Sequence, residues 1–265
     1  MSDMRMSVLA SGSSGNSTYV ETEKGSLLID VGLTCKRIEE GLNHIGTSLN
    51  NIDAILITHE HSDHIKGLKV IAKRYDIPVF ANAQTWQQLD RKNIEVPSEQ
   101  KFHFNPLETR EIIGMDVESF HVSHDAIDPQ FYTFMKDGKK LSVLTDTGYV
   151  SDQMKGIIKE SDCFIFESNH DVDMLRMGRY PWVTKQRILS DVGHVSNEDA
   201  AHAMKDVITD RTKRIYLSHL SLDNNIKELA KMSVEQILNQ YDIDTDNDIQ
   251  LHHTDKNTPT EIYTI

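Results

Sequence analysis

Residues Ile52–Gly67 read Ile-Asp-Ala-Ile-Leu-Ile-Thr-His-Glu-His-Ser-Asp-His-Ile-Lys-Gly, an apolar run that empties directly into three histidines and an aspartate. His59, His61, Asp63 and His64 thus offer imidazole and carboxylate donors, the types that hold divalent cations, within six residues. A single zinc site on a helix places its histidines one turn apart on one face. Here they are two apart, the spacing of a loop or strand, so alternate side chains aim at one point and the others at a second. That pattern suits two cations better than one. A solvated loop rich in histidine is the plainer alternative, but Ile52–Ile57 has the length and branched composition of a buried strand, and the donors follow it without a spacer.

The same arrangement recurs along the chain. Met115–Val122 alternates as a strand and ends in Ser123-His124-Asp125; Leu141–Leu144, the second strand of a hairpin turning at residues 136–139, ends in Thr145-Asp146. Asp162–Phe166 runs into Glu167-Ser-Asn-His170, and Arg214–Ser218 into His219. Taken alone, Asp146 reads as a turn or cap residue before a helix near 151–159; beside the other donors it reads as a bridge between cations roughly 3.5–4 Å apart. Such cations activate water and neutralise charge on a phosphoryl or carbonyl oxygen. A leaving alkoxide still needs a proton, and His194 with carboxylate support from Glu167 is the candidate donor. His170 and Glu167 are also suited to hold the second nitrogen of a metal-binding histidine.

The elements that position these residues alternate between strand and helix. Strands are expected at 7–10, 18–21, 26–30, 52–57 and 78–81, with helices at 34–45, 65–74 and 83–90. A helix entry is capped by Ser196 with Asp199 three residues on, another helix spans 225–240, and strands close the chain near 249–252 and 261–265. Ser11-Gly-Ser-Ser-Gly-Asn-Ser17 is either a tight turn or an anion-holding loop in which Ser13 and Asn16 meet substrate. Arg179, Lys185 and Arg187 fall in the densest basic stretch, either a solvated helix face or a strip of phosphate contacts. Trp86 is a stacking candidate on a short helix, where simple packing is the commoner role.

At 265 residues the chain is long enough for one sizeable α/β domain, and no linker or repeat divides it, so residues 1–265 are expected to form a single domain. The amino terminus lacks the apolar core of a secretory signal and no run approaches a membrane span, which predicts a soluble, cytoplasmic protein with no membrane partner. Its two cysteines, Cys35 and Cys163, are far apart and outside the donor motifs, which predicts reduced thiols. The formal net charge of −13 argues against a protein that coats nucleic acid nonspecifically. It leaves room for a nuclease whose cations and a local basic strip hold the scissile phosphate.

The string His59-Glu-His-Ser-Asp-His64 resembles the signature of the metallo-β-lactamase superfamily. That resemblance implies a four-layer αββα sandwich of α/β (α+β) class, with a two-metal site along one edge of its sheets. It implies one ion on His59, His61, His124 and Asp146, and the other on Asp63, His64, His219 and Asp146. Asp63, together with His194 and Glu167 as read from the residues above, is the expected catalytic set. Leu9-Ala-Ser-Gly-Ser-Ser-Gly-Asn-Ser17, Thr58–His64, Ser123–Ala126, Leu144–Gly148, Glu167–Asp171, Gly193–Glu198 and Ser218–Ser221 together resemble the bacterial YycJ (WalJ) exonuclease family. This implies a metal-dependent 5′-to-3′ exonuclease on DNA, most naturally double-stranded at its 5′ end, with a part in mismatch repair and no obligate protein partner. Zinc and manganese both suit the donors, and iron is accepted by the same set. Three alternatives draw on the same residues: an RNA-processing phosphodiesterase, a lactonase or thioesterase acting on small molecules, and a noncatalytic regulator linked to cell-wall signalling.

Overall fold

Leu27 and Ile29 face one apolar layer and Leu28 faces another; the next strand repeats the division, with Ala54 and Leu56 set against Ile55 and Ile57. Successive side chains of a strand point to opposite faces, so a strand apolar at every position has to be covered on both sides. The computed structural model, which describes residues 4–245 and 247–265, meets that requirement with two seven-stranded sheets packed face to face.

The first sheet contains β1 (Arg5–Ala10), β2 (Ser17–Thr22), β3 (Gly25–Ile29), β4 (Ala54–Leu56), β5 (Val79–Ala81) and β6 (Lys101–His103) in spatial order. The second contains β7 (Thr109–Ile112), β8 (Met115–His121), β9 (Gln130–Lys136), β10 (Lys139–Leu144), β11 (Cys163–Glu167), β12 (Arg214–Ser218) and β13 (Gln250–His253), also in order. A last strand, β14 (Tyr263–Thr264), returns to pair antiparallel with β1. Each sheet begins antiparallel and ends parallel: β3 to β6 and β10 to β13 are the parallel runs. Parallel neighbours point the same way, so the carboxyl ends of β4, β10, β11 and β12 collect at one rim, where α/β sheets bind their ligands.

Helices α1 (Cys35–His44), α3 (Leu68–Arg74) and α4 (Ala83–Arg91) cover the outer face of the first sheet through Ile38, Leu42, Leu68, Ile71 and Leu89. On the other side α5 (Asp152–Ile158), α8 (Asn197–Val207) and α9 (Lys227–Asn239) flank the second sheet, with Ile158, Met204 and Val234 in its core. The result is an αββα sandwich, and the apolar layer between the sheets draws on residues from Met4 to Ile265. Among the described residues no helix is long and apolar enough to cross a membrane. Cys35 and Cys163 are both free and buried.

The helix expected over 65–74 is in fact two, a single turn α2 (Ser62–Ile65) and then α3. The break falls at Gly67, whose amide donates to the Val31 carbonyl at 2.8 Å and where a Cβ would lie 2.5 Å from the Leu33 carbonyl oxygen. The chain turns there because it is pressed against the first sheet's rim. Two helices at the rim, α6 (Val172–Met177) and α7 (Trp182–Ile188), fall in the stretch that the sequence marks only by its basic charge.

Candidate metal centre

The donor loop after β4 is tied down by the ends of its neighbours. Asp30, just past β3, has φ +60° and is buried; its carboxylate accepts the Thr58 amide at 2.9 Å and the Thr58 hydroxyl at 2.8 Å. Val31 donates its amide to the His64 carbonyl, and Asn16 donates its own to the Asp63 carbonyl at 2.7 Å. A Cβ on Gly32 would lie 1.6 Å from that same Asp63 oxygen, so only glycine lets the loop seat this closely.

Hydrogen bonds at the ring nitrogens fix which one each histidine presents. The Thr58 hydroxyl spends its proton on Asp30, so at 2.9 Å it can only accept from His59 Nδ1, leaving His59 Nε2 as a bare lone pair. His64 Nδ1 donates to Asp30 Oδ2 at 2.7 Å, His124 Nδ1 to the Gly193 carbonyl at 3.1 Å, and His219 Nδ1 to Glu167 Oε1 at 3.0 Å. All four therefore turn Nε2 inward, while His61 turns Nδ1, which lies 3.3 Å from His124 Nε2. His59 Nε2 and His219 Nε2 are buried with no hydrogen-bond partner. A buried imidazole nitrogen with a fixed lone pair and no donor to meet it, as at His59 Nε2, is what a divalent cation satisfies. The donor set fits a divalent metal.

Asp146 stands between two groups of rings. Its Oδ1 lies 3.1 Å from His219 Nδ1 and 3.9 Å from His124 Nε2, and its Oδ2 lies 3.3 Å from His64 Nε2. Asp63 Oδ2 is 3.7 Å from His64 Nε2 and 3.8 Å from His219 Nε2. Burial would raise the Asp146 carboxyl, but His219 and His64 outweigh it and hold it well below the usual range. His64 and His219 move the other way: burial opposes their charge, yet Asp30, Asp146 and Asp63 around His64, and Asp146, Asp63 and Glu167 around His219, hold both rings well above the ordinary histidine value. His59 and His124 are pushed down, chiefly by burial. One half of the centre is thus acid-rich and the other imidazole-rich, with Asp146 common to both.

His194 sits beside this cluster, its Nδ1 donating to Glu167 Oε1 at 2.6 Å. The same carboxylate oxygen holds His219, and Glu167 Oε2 accepts the Thr147 amide at 2.8 Å. Ser196 caps α8 by accepting the Asp199 amide, which fixes the chain just after His194.

The structure brings His59, His61, His64, His124, Asp146, Glu167, His194 and His219 into overlapping clusters, with Asp63 at their edge. The contacts expected for substrate divide. Ser13 and Arg187 line a cavity beside His194, and Arg179 is exposed on the segment between α6 and α7. Lys185 corrects its expected role: it is buried, and its Nζ donates to the Arg176 and Gly178 carbonyls, both at 2.7 Å, neutralising the end of α6. Asn16 is likewise turned inward, with Nδ2 3.4 Å from Asp63 Oδ2 and 3.1 Å from His64 Nε2. Trp86 is buried with Nε1 donating to the Phe102 carbonyl, which removes it as a stacking platform. His170 is buried with neither ring nitrogen partnered, and burial pushes it down to about 4; it holds no ligand ring. Three residues that position ligands are given no such role by the sequence: Asp30, Thr58 and Gly193.

Fold and donors together define a metal-dependent hydrolase, and the chain falls in the β-lactamase superfamily: the model of the beta-lactamase superfamily domain matches residues 27–220. Within it, the chain belongs to the YycJ/WalJ exodeoxyribonuclease family. It is 55% identical over 259 residues to Exodeoxyribonuclease YycJ of Bacillus anthracis, covering 98% of both chains. It is 51% identical over 260 residues to Exodeoxyribonuclease WalJ of Streptococcus pneumoniae, covering 97% of both. Among solved structures, the metallo-beta-lactamase fold protein YhfI from Bacillus subtilis shares the fold with a TM-score of 0.77 at 14% identity, over 99% of this chain and all of that one.

Proposed function

We propose that this chain is a 5′-to-3′ DNA exonuclease that hydrolyses phosphodiester bonds at a two-metal centre. The observation that carries the reading is Asp146, buried at the middle of the donors, with Oδ1 facing His124 and His219 and Oδ2 facing His64, while His194, backed by Glu167, stands at its side. The DNA substrate follows from similarity along nearly the whole chain to relatives named exodeoxyribonucleases.

His59, His61, His124 and Asp146 would hold one ion and Asp63, His64, His219 and Asp146 the other, with zinc or manganese the best match and iron acceptable. When bound, the ions supply charge neutralisation at the phosphoryl oxygens and a water of lowered pKa. Asp63, beside His64 and His219, would take up a proton from the attacking water. The Glu167 carboxylate accepts from His194 Nδ1 and orients the ring, so that His194, as the imidazolium, would deliver its Nε2 proton to the leaving oxygen. Arg187, Arg179 and Ser13 are the groups placed to meet the strand outside the centre. A cytoplasmic location fits this reading, since both cysteines are buried free thiols.

The test is digestion of end-labelled duplex DNA, with and without a 5′ phosphate, by protein loaded with manganese or zinc. Stepwise loss from the 5′ end that Asp63→Ala and Asp146→Ala both abolish is the expected result. Turnover of a lactone or thioester with no cleavage of DNA would overturn the reading; preference for RNA would move it to the processing phosphodiesterases.

A further inference from the structure

The four most exposed large apolar side chains among the described residues are Met177 at 83%, Val183 at 76%, Trp182 at 62% and Leu222 at 58%. All four lie on two segments that border one cavity. Tyr180 and Thr184, on either side of Trp182 and Val183 in the chain, line it, and so does Ser221, next to Leu222. The two segments are pinned to each other. The Tyr180 hydroxyl donates to Asp223 Oδ2 at 2.8 Å, the Asp171 amide donates to the Asn224 carbonyl at 2.9 Å, and a Cβ on Gly178 would lie 2.5 Å from Asn224 Oδ1. Lys185, the residue that α7 buries, adds its two bonds to the end of α6. The apolar groups therefore stand on a held lip, and an apolar patch of this kind marks a surface that something covers.

Charge says what covers it. Arg176 and Arg179 are exposed on the same stretch, and among the described residues neither guanidinium meets a carboxylate, although the chain carries a net charge of −13. A second acidic copy is repelled overall, whereas nucleic acid joins phosphates to stackable base faces and so matches cations set beside an indole.

We infer that this lip is a wedge for the end of a DNA duplex: the Trp182 indole, with Val183 beside it, stacks on the terminal base pair and parts it, while Arg176 and Arg179 hold phosphates outside. The inference deepens the exonuclease reading above and rests on it. The metal donors His59, His64, Asp146 and His219 are buried, and the cavity that borders them holds about 230 Å³, below the roughly 300–1,000 Å³ of a pocket for a drug-sized ligand. One strand can enter such a space and a base pair cannot, so a duplex has to open before its phosphate is cut. Apolar side chains pressed against a base step open it by unstacking. Trp182 is thus a positioning residue, acting on the duplex end and not on the reacting atoms.

The experiment compares two duplexes of one sequence, digested by the full chain loaded with manganese: one paired to its 5′ end, the other with its last few pairs mismatched. Trp182→Ala is expected to slow digestion of the paired end about tenfold or more, with melting temperature and metal content held. The mismatched end restores its rate to within about twofold of wild type, because an end already open needs no wedge. Trp182→Phe keeps most of the rate on the paired end. Arg176→Ala combined with Arg179→Ala raises KM for both duplexes and weakens its dependence on salt. A Trp182→Ala variant that is slowed equally on both duplexes, or on neither, overturns the inference and leaves the exonuclease reading standing, as does an unchanged KM in the double arginine variant. A wild-type dimer in sedimentation that Trp182→Ala dissolves overturns it too, since the lip would then belong to a second copy. No hydrolysis of either duplex by wild type would sink the exonuclease reading itself, and the inference with it.

Discussion

A single oxygen, Glu167 Oε1, accepts from both His194 and His219. His219 turns Nε2 to the metal centre and His194 stands beside it, so substitutions separate the two roles. His194→Ala is expected to slow turnover by roughly 10²–10⁴-fold with metal content unchanged, whereas Glu167→Gln lowers both; parallel rate and metal analyses decide. Asp30→Asn should weaken metal affinity about 10–100-fold, measured by competition with a chelator, because it loosens His64 directly and His59 through Thr58. The ligating string from His59 to His64 is legible in the sequence because its spacing is local. Asp30 is not, since an aspartate after a strand reads as a turn residue and its partner lies 34 positions away. His124 and the Gly193 carbonyl are separated by 69 positions, and a carbonyl has no letter in the sequence.

At the scale of elements, strands are legible as alternating or uninterrupted apolar runs, and His59, His124, Asp146, Glu167 and His219 lie at or just past their ends, while Asp63 and His64 fall in α2. The rim helices are less legible, because α6 and α7 are short and the residue that α7 buries is Lys185 instead of an apolar one. A different carboxylate ties the starts of β10 and β11 together: Asp162 accepts the Lys140 amide at 2.9 Å and pairs with Arg211 at 2.8 Å and Lys139 at 3.1 Å. Burial would raise its carboxyl, but Arg211, the Lys140 amide and Lys139 hold it below the usual carboxylate range. A depressed folded-state pKa contributes stability that is present above the unfolded value near 3.8 and is lost as pH falls through the folded one. Asp162→Asn should therefore cost about 1–2 kcal/mol at pH 7, and the gap from wild type should close in acid; urea titrations across pH measure it.

For the whole molecule, the core that runs from Met4 to Ile265 and the return of β14 to β1 predict one cooperative unfolding transition across residues 1–265. A cation at a hundredfold excess over its Kd adds about 2.7 kcal/mol to the folded state. Chelation should accordingly lower the melting temperature by roughly 5–10 °C without splitting the transition, as calorimetry would record. The two sheets also divide the donors unequally. The first sheet gives His59, His61, Asp63 and His64 from one loop, while the second gives His124, Asp146 and His219 from three separate strands. During synthesis from the amino terminus, the local quartet emerges early and the last ligand only when β12 has left the ribosome. A nascent chain thus carries half a chelate for most of its translation, and firm capture of a cation marks the moment at which the second sheet has closed on the first.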